Sequence, residues 1–304
     1  MRVLIIGYGS IGRRHDEVLF DFAELEDVHL VTKQYISNRI TFKSLEDVVD
    51  INSYDYLLIA SETKKHYEQL CWLNERLENK KIFSEKPLFE KWYELPTFRN
   101  EVYVGYVLRF HPVLQKVKLL LKGQQVLNAN IACGSYLPSW RTNIDYRDSY
   151  SAKKAEGGGV LLDLSHELDY IVWLLGNLLE VKSYQAKVSD LEIDSDDVVS
   201  LVGKTDQQAI VNLVMDYFSK SAYRQIRINT NGFTLEADLI KNQLIKTNLD
   251  NTQEVFEFET LERNHMFQAM HREILFSSDK NYICDLVQGS KVMRTIKMIQ
   301  EQNQ

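Results

Sequence analysis

The stretch RVLIIGYGSIGRRHDEVLFDF, residues 2–22, decides the fold. Residues 2–6 form an apolar run of the kind that a strand covered on both faces requires. The turn Gly7-Tyr8-Gly9-Ser10-Ile11-Gly12 follows at once, and the residues after it have a helical pattern. A GxGxxG motif alone is weak, but strand, glycines and helix in immediate succession specify a dinucleotide site. Gly7 permits the tight turn, Gly9 lets the backbone approach a pyrophosphate, and Gly12 lets helix and strand pack closely. The helix opened by Ser10 and Ile11 then points its N-terminus at the phosphates.

A second strand, residues 28–32, ends about 20 residues after the turn, where an NAD-specific site places an Asp or Glu on the ribose. This chain has Thr32, Lys33 and Gln34 there. A hydroxyl and a cation suit a 2′-phosphate better than a free diol, so NADP is favoured over NAD. Arg13 either adds a second positive charge or is a solvated helix residue. Residues 44–51, SLEDVVDI, are expected to be helical, with Ser44 as N-cap and Asp47 at the capping-box position. Residues 56–60 form another strand, residues 66–76 a helix, and residues 81–83 and 102–106 further strands. This alternation implies a doubly wound parallel sheet with right-handed crossovers. Ligands bind outside the carboxyl ends of such strands. Residues 7–12, 61–63, 85–87 and 106–109 should therefore converge on one crevice.

The chain has 304 residues, 44% hydrophobic and 26% charged, with a net charge of −7. This size suits two domains, each with its own core. The acidic balance argues against nucleic acid or an anionic membrane as a general partner. No apolar run approaches the roughly 18 residues needed to span a bilayer, and the N-terminal run is too short for a signal peptide. Cys71, Cys133 and Cys284 are few, odd in number and far apart, which points to a reducing, cytoplasmic setting without a zinc site.

From about residue 116 the pattern changes. Residues 126–133, 181–188, 197–204, 208–215, 224–230 and 233–238 have strand character, and Asn231-Gly232 is a hairpin signal. Strands without intervening helices predict a largely antiparallel open sheet. The fold class is thus α/β: a Rossmann domain over residues 1–115 and an α+β domain over residues 116–304. His265 and His271, on a late helix, read as surface or packing residues. Residues 134–156 are rich in rings and cations, among them Trp140, Arg141, Tyr146, Arg147 and Tyr150. Rings stack on sugars, and arginine forks grip carboxylate or phosphate. The alternative is a polar loop whose arginines pair with Asp145 and Asp148. Next comes EGGGVLLDLSHELDYIVWLL, residues 156–175. Leu161, Leu164, Leu168, Ile171 and Leu175 mark the buried stripe of one helix. Asp163, His166, Glu167 and Tyr170 lie on another face, which either meets water or performs proton transfer.

Five pieces in order carry a family resemblance: GYGSIG at residues 7–12, ASETKKH at 60–66, SEKP at 84–87, GYVLRFHP at 105–112 and GGGVLLDLSHELD at 157–169. Together they resemble the Gfo/Idh/MocA oxidoreductases across nearly the whole chain. The resemblance implies NAD(P)-dependent hydride transfer at a carbinol or carbonyl carbon of a sugar, sugar derivative or cyclitol. It implies that Lys86 is the active-site lysine, positioned by Pro87, and that Thr63 and His66 line the nicotinamide side; Ser61 and Glu85 complete the expected cofactor-binding set. His66 is equally readable as a structural residue. The resemblance makes His166 the catalytic histidine, with Asp163 holding substrate or orienting it. Many members have D-x-x-x-H where this chain has D-x-x-H, which leaves Glu167 as the second candidate carboxylate. The three glycines should allow the helix to approach nicotinamide and substrate.

Tyr106, Arg109 and the residues 134–156 loop are expected to bind substrate, an anionic sugar such as a nucleotide sugar or sugar acid, as in relatives serving surface-glycan synthesis. The family's open sheet implies a homodimer or homotetramer. Reduction of a C=N or C=C bond is an alternative on the same fold. A non-catalytic NAD(P) sensor is another, which the joint presence of Lys86 and His166 disfavours.

Overall fold

The computed structural model describes residues 1–141 and 143–303. In chain order the elements are β1 (Arg2–Ile6), α1 (Ser10–Phe20), β2 (Asp27–Val31), β3 (Thr41–Phe42), β4 (Tyr56–Ile59), α2 (His66–Arg76), β5 (Lys81–Ser84) and β6 (Glu101–Val104). There follow α3 (Pro112–Leu121), β7 (Val126–Gly134), α4 (Val160–Asp163) and α5 (His166–Leu175). Strands β8 (Leu178–Ala186), β9 (Val198–Thr205), β10 (Ile210–Asp216), β11 (Tyr223–Thr230), β12 (Phe233–Asp238), β13 (Gln243–Asn248) and β14 (Gln253–Glu257) form a long run. The chain ends with α6 (His265–Phe276), β15 (Cys284–Asp285) and α7 (Leu286–Gln302).

Two units result. The first comprises residues 1–107 and 261–290, the second residues 108–260 and 291–304. The division differs from the single boundary drawn at residue 115, because α6 packs on α1 and β15 pairs with β6. Residues 261–290 thus return to the first unit.

The first unit's sheet has the order β15-β6-β5-β4-β1-β2-β3. It is parallel throughout except for β15 against β6. Leaving out β15, this is the doubly wound order 3-2-1-4-5-6 of dinucleotide-binding folds. Val3, Leu4, Ile5, Leu57, Leu58 and Ile59 are fully inaccessible, as strands covered on both faces demand.

One predicted helix is absent. Residues 44–51 form turns rather than an α-helix. Asp47 does accept the Ser44 backbone N–H, but the turn closes there and Asp50 leaves helical geometry at φ −122° and ψ 68°. The Leu45, Val48 and Ile51 side chains are buried at spacings of three while Val49 is exposed. A segment so short, with adjacent β-branched valines, cannot offset the cost of helix nucleation.

The second unit's sheet has the order β14-β13-β12-β11-β7-β10-β9-β8. All pairs are antiparallel except β7 with β10, so it is mixed at one position. α3 packs on β12 and β13, α4 on β9 and β10, and α5 on β7. Strands such as β9 alternate buried and open residues, as a sheet with one covered face does. Among the described residues no helix is long and apolar enough to cross a membrane.

Candidate active site

In the first unit, the predicted cofactor residues lie at the carboxyl ends of adjacent strands. Gly7 follows β1 at φ +96°, and a Cβ there would come within 2.6 Å of the Ser61 backbone after β4. A Cβ on Gly12 would collide with the Gly7 carbonyl. Gly9 differs: it caps α1, and a Cβ there would meet nothing within 4 Å. Its space is open on the side of the helix N-terminus, whose first turn has no acidic residue. An open glycine, unmatched backbone N–H groups and the positive end of a helix dipole fit a pyrophosphate. Gly9→Ala should therefore cost about 1 kcal/mol of stability at most, the scale of a helix-cap change. It should weaken NADPH binding roughly tenfold, about 1.4 kcal/mol, because the methyl would take space that the glycine motif reserves for a phosphate. Parallel melting curves and fluorescence titrations would separate the two effects.

After β2, the Thr32 hydroxyl accepts the Gln34 N–H, and Lys33 is exposed. Arg13 donates to the Gln34 amide oxygen at 3.0 Å and lies over the Tyr8 ring. The first three side chains after β2 thus include no carboxylate.

Lys86 and Pro87 follow β5, joined by a cis peptide bond. Lys86 is partly accessible. His66, also predicted at the nicotinamide side, is 1% exposed, with Nε2 3.1 Å from the Ser61 carbonyl and Nδ1 3.2 Å from that of Pro87. Burial lowers its pKa. It braces the loops that hold Ser61 and Pro87, so its structural reading is the one the geometry favours. Glu85 is likewise turned inward, with one carboxylate oxygen 2.9 Å from His15 Nε2. Tyr106 is buried at 1% exposure.

In the second unit, the predicted single helix is broken. α4 stops at Asp163, Leu164 leaves helical geometry at ψ 25°, and α5 starts at His166. The leucine stripe is nonetheless buried throughout. The Asp196 carboxylate accepts the Leu161 N–H at 2.9 Å, and its carbonyl accepts that of Val160. Gly159, at φ +118°, has no room for a Cβ beside Asp196. This glycine therefore lets α4 dock on the chain's own Asp196, a packing role that the expectation for the three glycines did not include.

Apart from His166, the other face does not meet water either. Asp163, Glu167 and Asp169 are 5%, 0% and 1% exposed. Tyr217 donates to Asp163 at 2.6 Å, and Tyr150 also hydrogen-bonds it. Burial, with the Asp163 charge, raises both phenol pKa values. Arg224 donates to Glu167 at 2.7 Å, which binds this second candidate carboxylate into a structural pair. Arg109, expected to bind substrate, is fully buried and grips both Asp169 oxygens at 2.9 and 2.6 Å. It is a bracket within the fold, which corrects its predicted role. His166 opens α5 and is partly accessible.

The ring-rich loop brings some predicted groups together. Trp140 meets Tyr217 edge-on at 5.2 Å and donates to Ser135. The Arg141 guanidinium lies 5.5 Å from the Tyr150 ring. Trp140, Arg141 and Tyr146 line one small cavity. Arg147 instead pairs with Asp145, as the polar-loop alternative anticipated, and with Glu192, which that alternative did not name.

Two family models match the chain: an oxidoreductase family with an NAD-binding Rossmann fold over residues 1–98, and the GFO/IDH/MocA C-terminal domain over residues 125–234. The chain belongs to the Gfo/Idh/MocA oxidoreductase family. A 2,7-anhydro-N-acetylneuraminate hydratase from Escherichia coli K12 is 28% identical over 149 residues, which are 46% of this chain and 39% of that relative. The chain thus spans about two-fifths of that curated relative's length. A UDP-N-acetylglucosamine 3-dehydrogenase from Acidithiobacillus ferrooxidans superposes with a TM-score of 0.78 at 16% identity, covering 100% of this chain and 97% of that one. The WlbA dehydrogenase from Bordetella pertussis, solved with NADH and UDP-GlcNAcA, gives 0.74 at 17%, covering 99% and 95%. For a Gfo/Idh/MocA chain, the residues that sequence reading missed are Tyr217, Arg224, Asp196, His15 and Tyr56, along with the network position of His271.

Burial also sets an acid response. His29, His66, His111 and His271 all have pKa values lowered mainly by burial, that of His111 to about 4. His111 caps α3 by accepting the Val113 N–H on Nδ1, which requires the neutral ring. The unfolded chain binds these protons near pH 6.5 and the folded chain resists them. Stability is therefore fully present above about pH 6.5 and lost as the pH falls. His111, 5% exposed, should account for about 3 kcal/mol of the loss down to about pH 4. Urea titrations across that range should show the loss, and His111→Asn, which keeps an acceptor for the cap, should flatten it.

Proposed function

We propose that the protein is an NADP(H)-dependent oxidoreductase acting on a carbinol or carbonyl carbon of an anionic sugar, a nucleotide sugar or sugar acid. The observation that carries this reading is the meeting of Gly7, Ser61 and the Lys86–Pro87 turn at adjacent strand ends, beside the open N-terminus of α1. Bound there, the nicotinamide cofactor supplies or accepts the hydride. The backbone around Gly9 holds its phosphates, and Thr32 with Lys33 favours a 2′-phosphate. The Lys86 ammonium holds the substrate oxygen and stabilises its developing charge. The His166 ring takes the hydroxyl proton in oxidation and returns it in reduction. Asp163, with its tyrosine donors, orients substrate or histidine.

Arg141 is the better candidate for an anionic group, since Arg147 is engaged by two carboxylates. Trp140 and Tyr150 offer faces to a sugar ring. Relatives whose names include UDP-sugars support that substrate class. Exposed Leu127, Tyr184, Val202 and Ile210 on the second sheet support homo-oligomer formation through it.

The test is a fluorescence titration with NADPH and NADH, then an absorbance screen of UDP-sugars and sugar acids. Absence of binding at micromolar cofactor would remove the reading. The hydratase relative favours a second outcome, net addition of water. A product heavier by one water, with no net change in reduced nicotinamide, would establish it in place of a net redox reaction.

A further inference from the structure

A line of buried polar groups crosses the first unit and ends at the residue before Lys86. Tyr56 Oη on β4 is 3.0 Å from His271 Nδ1 on α6, and His271 Nε2 is 2.8 Å from His15 Nδ1 on α1. His15 Nε2 is 2.9 Å from Glu85 Oε1. The second carboxylate oxygen, Oε2, accepts the Lys86 backbone N–H at 3.1 Å. Tyr56, His271 and His15 are 0% exposed and Glu85 7%, so the line has one end near solvent, at Glu85.

The donor directions follow from chemistry. With His15 Nε2–H donating to the Glu85 carboxylate, the tautomer that leaves His15 Nδ1 without a hydrogen accepts from His271 Nε2–H. His271 Nδ1 then accepts from the Tyr56 hydroxyl. Each ring nitrogen in the line has a partner, and burial holds the pKa of His271 well below the ordinary range. Phe83 and Phe267 pack edge-on against the His15 ring at 5.1 and 5.5 Å, which fixes its plane. Arg14 and His66 are the other charged or titratable groups whose fields couple to Glu85. A proton path would need an outlet at each end; this line is closed at Tyr56.

We infer that Tyr56, His271 and His15 form a positioning relay that fixes the Glu85 carboxylate, and through it the backbone of Lys86. The inference rests on Lys86 being the active-site lysine of the reaction proposed above. It gives residues 261–290 a reason to return to the first unit: α6 delivers His271 to the line.

The test needs no turnover. Amide hydrogen exchange of residues 84–88, and acetylation of Lys86 by acetic anhydride relative to the other lysines, would be followed by mass spectrometry in the whole protein. In His15→Leu, exchange of residues 84–88 should quicken about tenfold or more, as a buried carboxylate loses its donor. The relative Lys86 acetylation rate should change with it. His15→Gln, which keeps a donor and an acceptor, should restore both, while β1 and β4 exchange as in the wild type. Tyr56→Phe removes one terminal hydroxyl and should give a smaller change in the same place, which keeps the test open should His15→Leu not fold. Wild-type exchange at residues 84–88 in these variants would overturn the relay. So would acceleration shared equally with β1 and β4, because that is general destabilisation. Failure of the wild-type protein to bind NADPH would remove the proposed reaction and leave these readouts intact.

Discussion

Replacing His166 with Asn should lower turnover by roughly 10²- to 10⁴-fold, the usual worth of a positioned general acid or base. The imidazole can exchange a proton near neutral pH, and an amide cannot. Asn keeps a short polar side chain at the start of α5, so the helix and the leucine stripe behind it should be undisturbed. The cofactor-binding residues proposed here lie in the other unit, around Gly7, Gly9 and Ser61. NADPH affinity should therefore stay within about twofold, since His166 is not among the groups proposed to hold the cofactor. The measurement is turnover at saturating substrate and cofactor beside a cofactor titration. Loss of both together would indicate damage to folding, and unchanged turnover would show that the proton moves elsewhere. A fall in turnover alone is the expected pattern.

The sequence pattern around this histidine was informative to a definable depth. Leu161, Leu164, Leu168, Ile171 and Leu175 predicted a buried stripe, and all five are buried. Their spacing could not reveal the break after Asp163, because the stripe continues across it. Nor could it show that the opposite face is buried apart from His166. The groups that make this burial tolerable, Tyr217 and Arg224, come from residues around β10 and β11, and sheet register sets their placement. Local periodicity contains no such information. His15 was more accessible to reading: it precedes Val18 and Leu19 by three and four positions, on the buried face of α1. Its partner His271 lies in a helix that sequence order assigns to the other half of the chain. The motif at residues 7–12 was legible because its conformational demands are local, a positive φ at Gly7 and no Cβ at Gly12.

The buried Arg109–Asp169 pair marks the largest expected loss of stability. Asp169→Leu should destabilise the second unit by about 3–5 kcal/mol, the cost of breaking a buried pair from one side. Arg109 and Asp169 are 0% and 1% exposed, so neither can turn to water without opening the fold. The guanidinium also lies over the Trp173 ring at 5.4 Å, which leaves it little freedom to move away from a leucine. Nearby Lys118, its pKa lowered to about 8 chiefly by burial and then by Arg109, is raised somewhat by Asp169, so losing the carboxylate makes a second cation more costly. The double replacement Arg109→Met, Asp169→Leu removes the charge along with its partner and should recover most of the loss, because hydrophobic isosteres of buried pairs are often neutral in stability. Thermal melts should show a fall of roughly 10 °C for the single variant and a much smaller one for the double. Equal falls in both would mean that packing around Arg109, rather than its charge, is what Asp169 sustains.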